Sequence, residues 1–478
     1  MMAELAIPFV GQAYEARSLN FSAQRCVNLF LELGMAGAKS PAALFCTPGL
    51  TQKLQMPNGQ TEIRGVLQFE GLLWVVSGNT LFSVSDSFVA TIIGVLATST
   101  GPVSMAKNET QLAIVDGVGG YYYDFPSLTF GQITDSEFPT GCRRISYLLN
   151  RFLVEAPQSQ TMSWSKIGDV RVWDGLDFAS ADASPDNIVS HMADHQELYV
   201  FGETTTQIFV ADAQGFANSP NSSMQQGCAA VFSPASIDNS VVWLGRDDLG
   251  HGIVWQTRGG ATPVRISNHG VEYAISQYER IDDAVAYVYQ QEGHLFYVLT
   301  FPTGNATWVY DVASQTWHER AYMVPSTGEL TRHRSNCHAM FNGHHIVGDW
   351  QNGRLYELDL SSYTDDGDAI LRLRSSPAIT QNQKRMVFKA LQVDVQVGVS
   401  PSTGQGSDPV GMLRYSDDSG HTWSNRSTAT LGKIGQYSAR CRFHRLGSGR
   451  NRVFEFSVSD PVPVVILGAY VDAVAGQW

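Results

Sequence analysis

Hydrophobic positions in this chain fall into short runs of about four to eight residues, separated by turns rich in Gly, Asn and Asp, and the runs come in pairs. The first clear pair reads LLWVVSGNTLFSVS from Leu72, and others begin at Gln111, Arg151, Glu197, Val241, His294 and His344. Their starts lie 39, 40, 46, 44, 53 and 50 residues apart, enough for one four-stranded blade each. Each pair is expected as the inner or middle hairpin of a blade. Such a sheet is apolar on both faces, so a single blade is unstable and radial stacking buries each face against a neighbour. The pattern predicts an all-β chain built on a β-propeller of about seven blades. Six or eight stay open, because the 53-residue interval has room for an insertion and the N-terminal segment can supply a closing strand. Trp74, Trp164, Trp243, Trp255 and Trp308 lie in these runs and are expected as packing between blades.

Helical periodicity is nearly absent; VEYAISQY, from Val271 to Tyr278, is the one candidate for a short helix. Ser87 to Ala106 is 20 residues without a charge, but Gly94, Gly101 and Pro102 break it. It reads as two strands and a turn, not a membrane span. Pro461 to Val471 is too short to cross a bilayer and reads as a buried strand. The pattern divides the chain into an N-terminal arm over 1–60, a propeller over 61–369 and a C-terminal β-rich, sandwich-like module over 370–478. Two local signatures agree. VYDVASQTW, from Val309, resembles a kelch-type blade turn. SDDSGHTW fits an Asp-box in which Ser416 and Asp418 satisfy turn amides, Gly420 takes the bend and Trp423 packs beneath.

Composition changes the picture through charge. With 43% hydrophobic and 16% charged residues and 44 Gly, this is a turn-rich globular protein. The net charge is −13, yet residues from Ile370 onward hold 13 Lys and Arg against 7 Asp and Glu. The module is therefore +6 and the preceding body −19. An acidic body argues against a protein that grips nucleic acid, and a basic module points to a different partner. The six cysteines form no C-x-x-C pair and read as small buried hydrophobes, not as zinc or redox sites. The N-terminus lacks the basic stretch of a signal peptide, so no export is expected from that end.

Candidates for chemistry are few. His191 and His195 have the spacing of a zincin pair but no general-base Glu follows the first, and the segment runs into a strand. His333, His338, His344 and His345 form a loose group without ligand spacing. Asp365, Asp366 and Asp368 lack the bidentate Glu of a calcium loop and read as a solvated acidic turn. Phosphate loops, nucleophile elbows and H-E-x-x-H are missing. No catalytic residue, metal site or cofactor is expected. The basic run Arg440, Arg442, Arg445, Arg450 and Arg452 is a candidate docking surface for an acidic protein or for DNA, with solvent-facing strand positions as the plainer alternative.

GQAYEARSLNFSAQRCVNLFLE, followed by CTPGL, resembles the opening of the packaged-DNA stabilisation proteins of short-tailed bacteriophages, also called tail accessory factors or tail nozzle proteins. The matching positions are Tyr14, Ser18, Gln24, Arg25, Asn28 and Glu32, then Thr47, Pro48, Gly49 and Leu50. The resemblance implies a structural virion protein with no catalytic residues. It implies a ring, expected as a hexamer, below the portal and its adaptor, with tail needle or fibre proteins nearby, closing the channel after genomic DNA has passed. Assembly in the host bacterial cytoplasm and an arm that orders on assembly belong to the same picture. Two other classes remain open here: a sialidase-like glycoside hydrolase, suggested by the propeller and the Asp-box, and a glycan-binding propeller presenting Trp317 or Trp350.

Overall fold

The computed structural model describes residues 5–212, 215–219, 222–258 and 261–476. Residues 1–4, which open the expected arm, and 477–478 lie outside the described residues. Six four-stranded antiparallel sheets follow one another along the chain, over 63–95, 104–132, 145–180, 188–218, 235–265 and 285–319. A seventh combines Ser335–Phe341, His344–Asp349 and Arg354–Asp359 with Gly49–Gln55 from the N-terminal segment. The expected hairpins are the second and third strands of each blade. Leu72–Ser77 pairs with Thr80–Val84, and His344–Asp349 with Arg354–Asp359.

Alternation along the second strands explains the stacking. In Gln111–Val115, Leu112 and Ile114 pack against blade one around Trp74 and Tyr123. Ala113 and Val115 point the other way, into a layer shared with Phe152 and Trp173 of blade three. Period-two alternation thus buries both faces of one strand in two different cores. Seven such layers occur, one between each pair of neighbouring blades, and the last joins Ile346 and Leu355 of blade seven to Val75 and Phe82 of blade one. The ring therefore closes at seven blades. Its one helix among the described residues, His269–Ser276, overlaps the expected stretch Val271–Tyr278 between blades five and six, starting and ending two residues earlier, and Asn268 caps it by accepting from the Val271 N–H at 3.0 Å.

The closing strand is held by close approach. A side chain at Gly49 would place its Cβ 2.5 Å from the Thr364 carbonyl oxygen and 2.6 Å from that of Ser362, so only glycine fits there. The Gly49 N–H donates to Ser362 at 3.1 Å.

Beyond the propeller stands a β-sandwich. One sheet runs Leu29–Leu33, Ala42–Cys46, Val465–Ala475, Met386–Val395, Cys441–His444, with Leu5–Ile7 beside Val465–Ala475. The other contains Arg372–Ser375, Asn451–Val458, Val410–Ser416 and Ser427–Thr430. Their shared core holds Phe9, Leu29, Leu391, Phe454 and Val471. Residues expected as a free arm thus supply strands both to the sandwich and to the last blade. Leu29, Leu31 and Leu44 are apolar and buried, which a free arm would leave in water.

The two bodies share a sheet. Cys26–Val27 lies between the outer strand of blade six, Thr316–Glu319, and Arg372–Ser375 of the sandwich, with Val27 opposite Glu319 on one side and Leu373 on the other. Asn28 follows, buried and left-handed at φ 53°, a conformation Asn tolerates better than most residues. Its Nδ2 donates to the carbonyls of Ala321 and Leu371, both at 2.9 Å, and its Oδ1 accepts from the Ala321 N–H at 2.9 Å. Its own N–H donates to Glu319 at 2.9 Å and its carbonyl accepts from Thr47 N–H at 3.2 Å.

Beside this junction His318 is buried against Phe30 and Phe296 with neither ring nitrogen hydrogen-bonded. Burial, helped by the Arg320 guanidinium, pushes its pKa down to about 3.

Two predictions follow from the junction. Asn28→Ala leaves one N–H and two carbonyls without partners, and is expected to cost about 2–4 kcal/mol in chemical denaturation; a loss below about 0.5 kcal/mol would show that Asn28 does not join the bodies. Below its unfolded pKa of about 6.5, His318 takes up a proton in the unfolded chain but not in the folded one, so stability is lost as pH falls. His318→Phe is expected to remove about 1.4 kcal/mol per pH unit of that loss between about pH 6.5 and 4.5, measured by denaturation at several pH values. An unchanged acid limb counts against the assignment.

Candidate functional site

The N-terminal motif turns inward. Arg25 forms a two-pronged ion pair with Glu319 at the end of blade six, Nε to Oε1 at 2.8 Å and Nη2 to Oε2 at 2.6 Å. Gln24 accepts from Arg374 at 2.9 Å, and Arg374, fully buried in the sandwich, also donates to the Phe9 carbonyl at 2.8 Å. Tyr14 and Ser18 shape the loop before it: the Tyr14 carbonyl accepts from the Ser22 hydroxyl at 2.5 Å, and the Ser18 carbonyl from the Phe21 N–H at 2.9 Å. Thr47, Pro48, Gly49 and Leu50 are buried where the closing strand begins, and Glu32 is exposed on the Leu29–Leu33 strand. Most of this motif fastens the N-terminal segment to both bodies.

The Asp-box turn is closed by its own side chains. Ser416 Oγ accepts from the N–H groups of Gly420 at 2.7 Å and Asp418 at 3.3 Å, and Asp418 accepts from the Thr422 N–H at 2.8 Å and its hydroxyl at 2.6 Å. The Ser416 hydroxyl, which donates to Asp418 Oδ1 at 2.6 Å, and then the two Thr422 bonds hold the Asp418 carboxyl well below the usual range. Gly420 sits at φ 102°, and Trp423 stacks on Arg414.

The basic run divides. Arg440, Arg445 and Arg450 are exposed and Arg442 is half-buried, alternating with buried Cys441 and Phe443. Lys389 and His444 share their side of the module, around a shallow groove with Arg445. Arg452 does not belong to that surface. It is buried, pairs with both Asp417 oxygens at 2.7 Å, donates to the Leu446 carbonyl and lies 4.0 Å from the Tyr415 ring centroid. Strand alternation turns Arg452 toward the core, where a paired guanidinium is tolerated.

The remaining candidates separate in space. His191 is buried on strand Ile188–Asp194 and His195 is exposed at its turn, with no helix to bring them together. His338 approaches His345 at 3.1 Å, His344 bonds Glu357 at 2.5 Å, and His333 bonds Ser335 at 2.7 Å, so the four histidines have three destinations. The acidic turn is not simply solvated. Asp365 is buried, with burial pushing it up to about 7; Asp366 pairs with Arg354, and Asp368 accepts from the Tyr322 hydroxyl at 2.6 Å. No group of three or more His, Cys, Asp or Glu capable of holding a metal occurs among the described residues. Trp317 is buried, with its indole N–H on the Ile266 carbonyl at 2.8 Å, and Trp350 has Arg332 stacked 3.8 Å from its ring centroid. Trp317 therefore offers no free face, and one face of Trp350 is taken by Arg332.

Two features escaped sequence reasoning. Arginines fill the propeller's axis: Arg144 reaches from blade three to the Ser190 hydroxyl at 3.2 Å and to the Val231 and Pro234 carbonyls at 2.8 and 2.9 Å. With Arg64, Tyr287 and His338 it lines an axial cavity of about 300 Å³. Arg64, on strand Ile63–Phe69, and Arg144, just before Ile145–Leu148, carry no local signal for this. The second is the recurrence, at Asp124, of the kelch-type turn already read at Val309–Trp317. Asp124 and Asp311 each end a third blade strand after a tyrosine and accept from Ser127 and Ser314 hydroxyls, at 2.5 and 2.6 Å, closing the same turn in two blades.

Solved structures similar to this chain include three that share little sequence with it. The extracellular domain of the putative one component system BT4673 from B. thetaiotaomicron is 14% identical, with a TM-score of 0.45, over 64% of this chain and 39% of that one. The N-terminal domain of Nup159 is 12% identical, with a TM-score of 0.44, over 71% and 99%. PorZ, a surface component of the type-IX secretion system of Porphyromonas gingivalis, is 12% identical, with a TM-score of 0.40, over 80% and 46%. No curated protein sequence matches the chain. Family models do: the bacteriophage P22 Gp10 β-propeller over residues 5–363 and the bacteriophage P22 Gp10 β-sandwich over 372–474. The chain, from its N-terminal strands to the last strand of its sandwich, belongs to the bacteriophage P22 Gp10 family, structural phage tail proteins that stabilise packaged DNA.

Proposed function

We propose that copies of this chain form a ring, six in number, that stacks below the portal and its adaptor, extends the DNA channel and helps to close it once the genome is inside. The observation that carries this reading is the match of both Gp10 family models across the chain. The charge distribution supports it. A propeller-bearing body at −19 lets phosphate slide past without sequence-specific binding, while a +6 sandwich with Arg440, Arg442, Arg445 and Arg450 at its surface suits an acidic neighbouring ring. The propeller's own axis is not the conduit in this reading. Its 300 Å³ cavity has room for roughly ten water molecules, whereas the major groove of a duplex is alone about 12 Å wide. The channel is the space the six copies enclose. Tail needle and fibre proteins are neighbours in the same assembly, which forms in the host cytoplasm. No enzymatic step is assigned. No helix among the described residues is long and apolar enough to cross a membrane.

Negative-stain images of the purified chain, alone and mixed with portal–adaptor particles, test the reading. Stacked rings are expected; a monomer that neither binds those particles nor enters virions overturns it. Exchanging Arg445 and Arg450 for Glu is expected to weaken docking at least tenfold with stability changed by less than about 0.5 kcal/mol. Raising salt is expected to loosen docking well before it unfolds the chain. Docking that is indifferent to both changes removes the charge argument. Arg452→Glu behaves differently: it strands Asp417 and is expected to destabilise the sandwich by about 3–5 kcal/mol, read by denaturation.

A further inference from the structure

The groove on the sandwich gathers more charge than the basic run alone brings to it. On one side lies the start of strand Met386–Val395, and along it arches the loop from His444 to Ser448. The Phe388 N–H donates to the Gly447 carbonyl at 2.8 Å and the Arg445 N–H to that of Lys389 at 2.9 Å. The groove measures about 1060 Å³. Residues 370–393 and 431–454 contain no Asp or Glu, so strand pairing here brings together two stretches of one sign. Lys384, Arg385, Arg445 and Arg450 are exposed on them, and Arg385 is steered onto the arch by an Nε–H···Oγ bond of 3.0 Å to Ser448.

The carboxylates of the sandwich do not neutralise these cations. Asp394 is engaged by Lys39 at 2.8 Å, Asp408 by Lys433 at 3.4 Å, Asp417 by Arg452 at 2.7 Å and Glu455 by Arg414 at 2.5 Å. Asp418 closes the Asp-box turn, and Asp460 accepts from the Val410 N–H at 2.8 Å. Asp472, opposite Ala390, is the one that remains. Four exposed cations against one carboxylate call for an anionic partner.

The floor narrows the class of that partner. Val387 is 48% exposed and lies opposite half-buried Val474 on the next strand, so the cations border an apolar strip. A phosphate backbone has nothing to set on such a strip, whereas a polypeptide does. A duplex also carries one charge per about 1.7 Å along its whole length, and beyond the groove it would run across a body at −19. A short segment ends where the cations end.

We propose that this groove receives a short acidic segment of the neighbouring ring's polypeptide, with carboxylates on Lys384, Arg385 and Arg445 and an apolar side chain on Val387. Charge complementarity selects the occupant, and the valine strip selects its class. Such a contact rests on the proposed docking of the sandwich to an acidic ring, and narrows it from a surface to one groove.

The full-length protein is titrated, by fluorescence anisotropy, with fluorescein-labelled Ser-Asp-Glu-Leu-Asp-Glu-Ser and with analogues carrying Asn and Gln for the acids or Ser for the leucine. The acidic peptide is expected to bind about tenfold more tightly than its amide analogue, about threefold more tightly than its serine analogue, and more weakly as salt rises. Lys384→Glu with Arg385→Glu is expected to weaken both peptide binding and docking on portal–adaptor particles about tenfold, with circular dichroism unchanged. Arg426→Glu, at an exposed cation before strand Ser427–Thr430 of the other sheet, is expected to change neither. Equal binding of acidic and amide peptides overturns the proposal, as does no binding at millimolar peptide, or a Lys384 and Arg385 exchange no stronger than Arg426→Glu. Tighter binding of a duplex of about 20 base pairs than of the peptide, lost on the same exchange, overturns it in favour of nucleic acid. Peptide binding without docking keeps the groove and removes the ring. Docking that needs Arg445 and Arg450 but not Lys384 and Arg385, with no peptide bound, removes the groove and keeps the ring.

Discussion

One short strand decides how this molecule holds together. Cys26–Val27 is only two residues long, yet it carries the hydrogen bonds that make blade six and the sandwich one sheet. Asn28 then fixes its exit by bonding residues 319–321, 371 and 47 at once. A buried polar side chain with several partners is costly to disturb, because removing it leaves each partner in a dry interior without a bond. Arg25 and Gln24 extend the same knot to Glu319 and Arg374. Propeller and sandwich are consequently coupled through the first fifty or so residues more than through the linker near residue 370, and a change in one body has a short polar route to the other.

That coupling explains which parts of the fold were legible in the sequence. Blades are local objects: each hairpin is written in consecutive residues, with the same apolar spacing and the same turn chemistry repeated. The seven hairpins, the short helix over His269–Ser276 and the Asp-box therefore emerge from pattern alone. The N-terminal strands obey a different logic. Gly49–Gln55 finds its partner about 300 residues away, and a run such as LFLEL carries no mark of where its partner lies. Polar text around the motif looked like a free arm, although Leu29, Leu31 and Leu44 were already apolar enough to belong to a core.

Arginine was the harder residue to read. Arg64, Arg320, Arg372, Arg374 and Arg452 are among the largest fully buried side chains. Arg64 satisfies the carbonyls of Gly101, Gly78 and Thr98, at 2.5, 3.0 and 2.8 Å, as backbone partners would elsewhere. Curved blade ends leave carbonyls pointing inward, and a planar fork with five donors meets several of them at once. Charge counted along the sequence therefore overstates the basic surface of the sandwich, since Arg372, Arg374 and Arg452 never reach solvent. Alternation on the strand, not residue type, sorts Arg442 from Arg452.

The strand that closes blade seven also sets an order of events during synthesis. Gly49–Gln55 leaves the ribosome early, but its partner Arg354–Asp359 follows only after some 300 residues, about 15–60 s later at 5–20 residues per second. Until then the first six blades assemble as an open arc with two apolar faces uncovered, and the nascent N-terminal segment has an edge but no mate. Closure is thus the last step within the propeller, and the sandwich strands Leu5–Ile7 and Ala42–Cys46, which wait for Val465–Ala475, bridge a larger loop. In a cell filling with identical nascent chains, a tethered strand in high local concentration competes with the same strand of a neighbour for the open blade. The covalent connection that makes the propeller late to close is also what keeps each ring of blades its own.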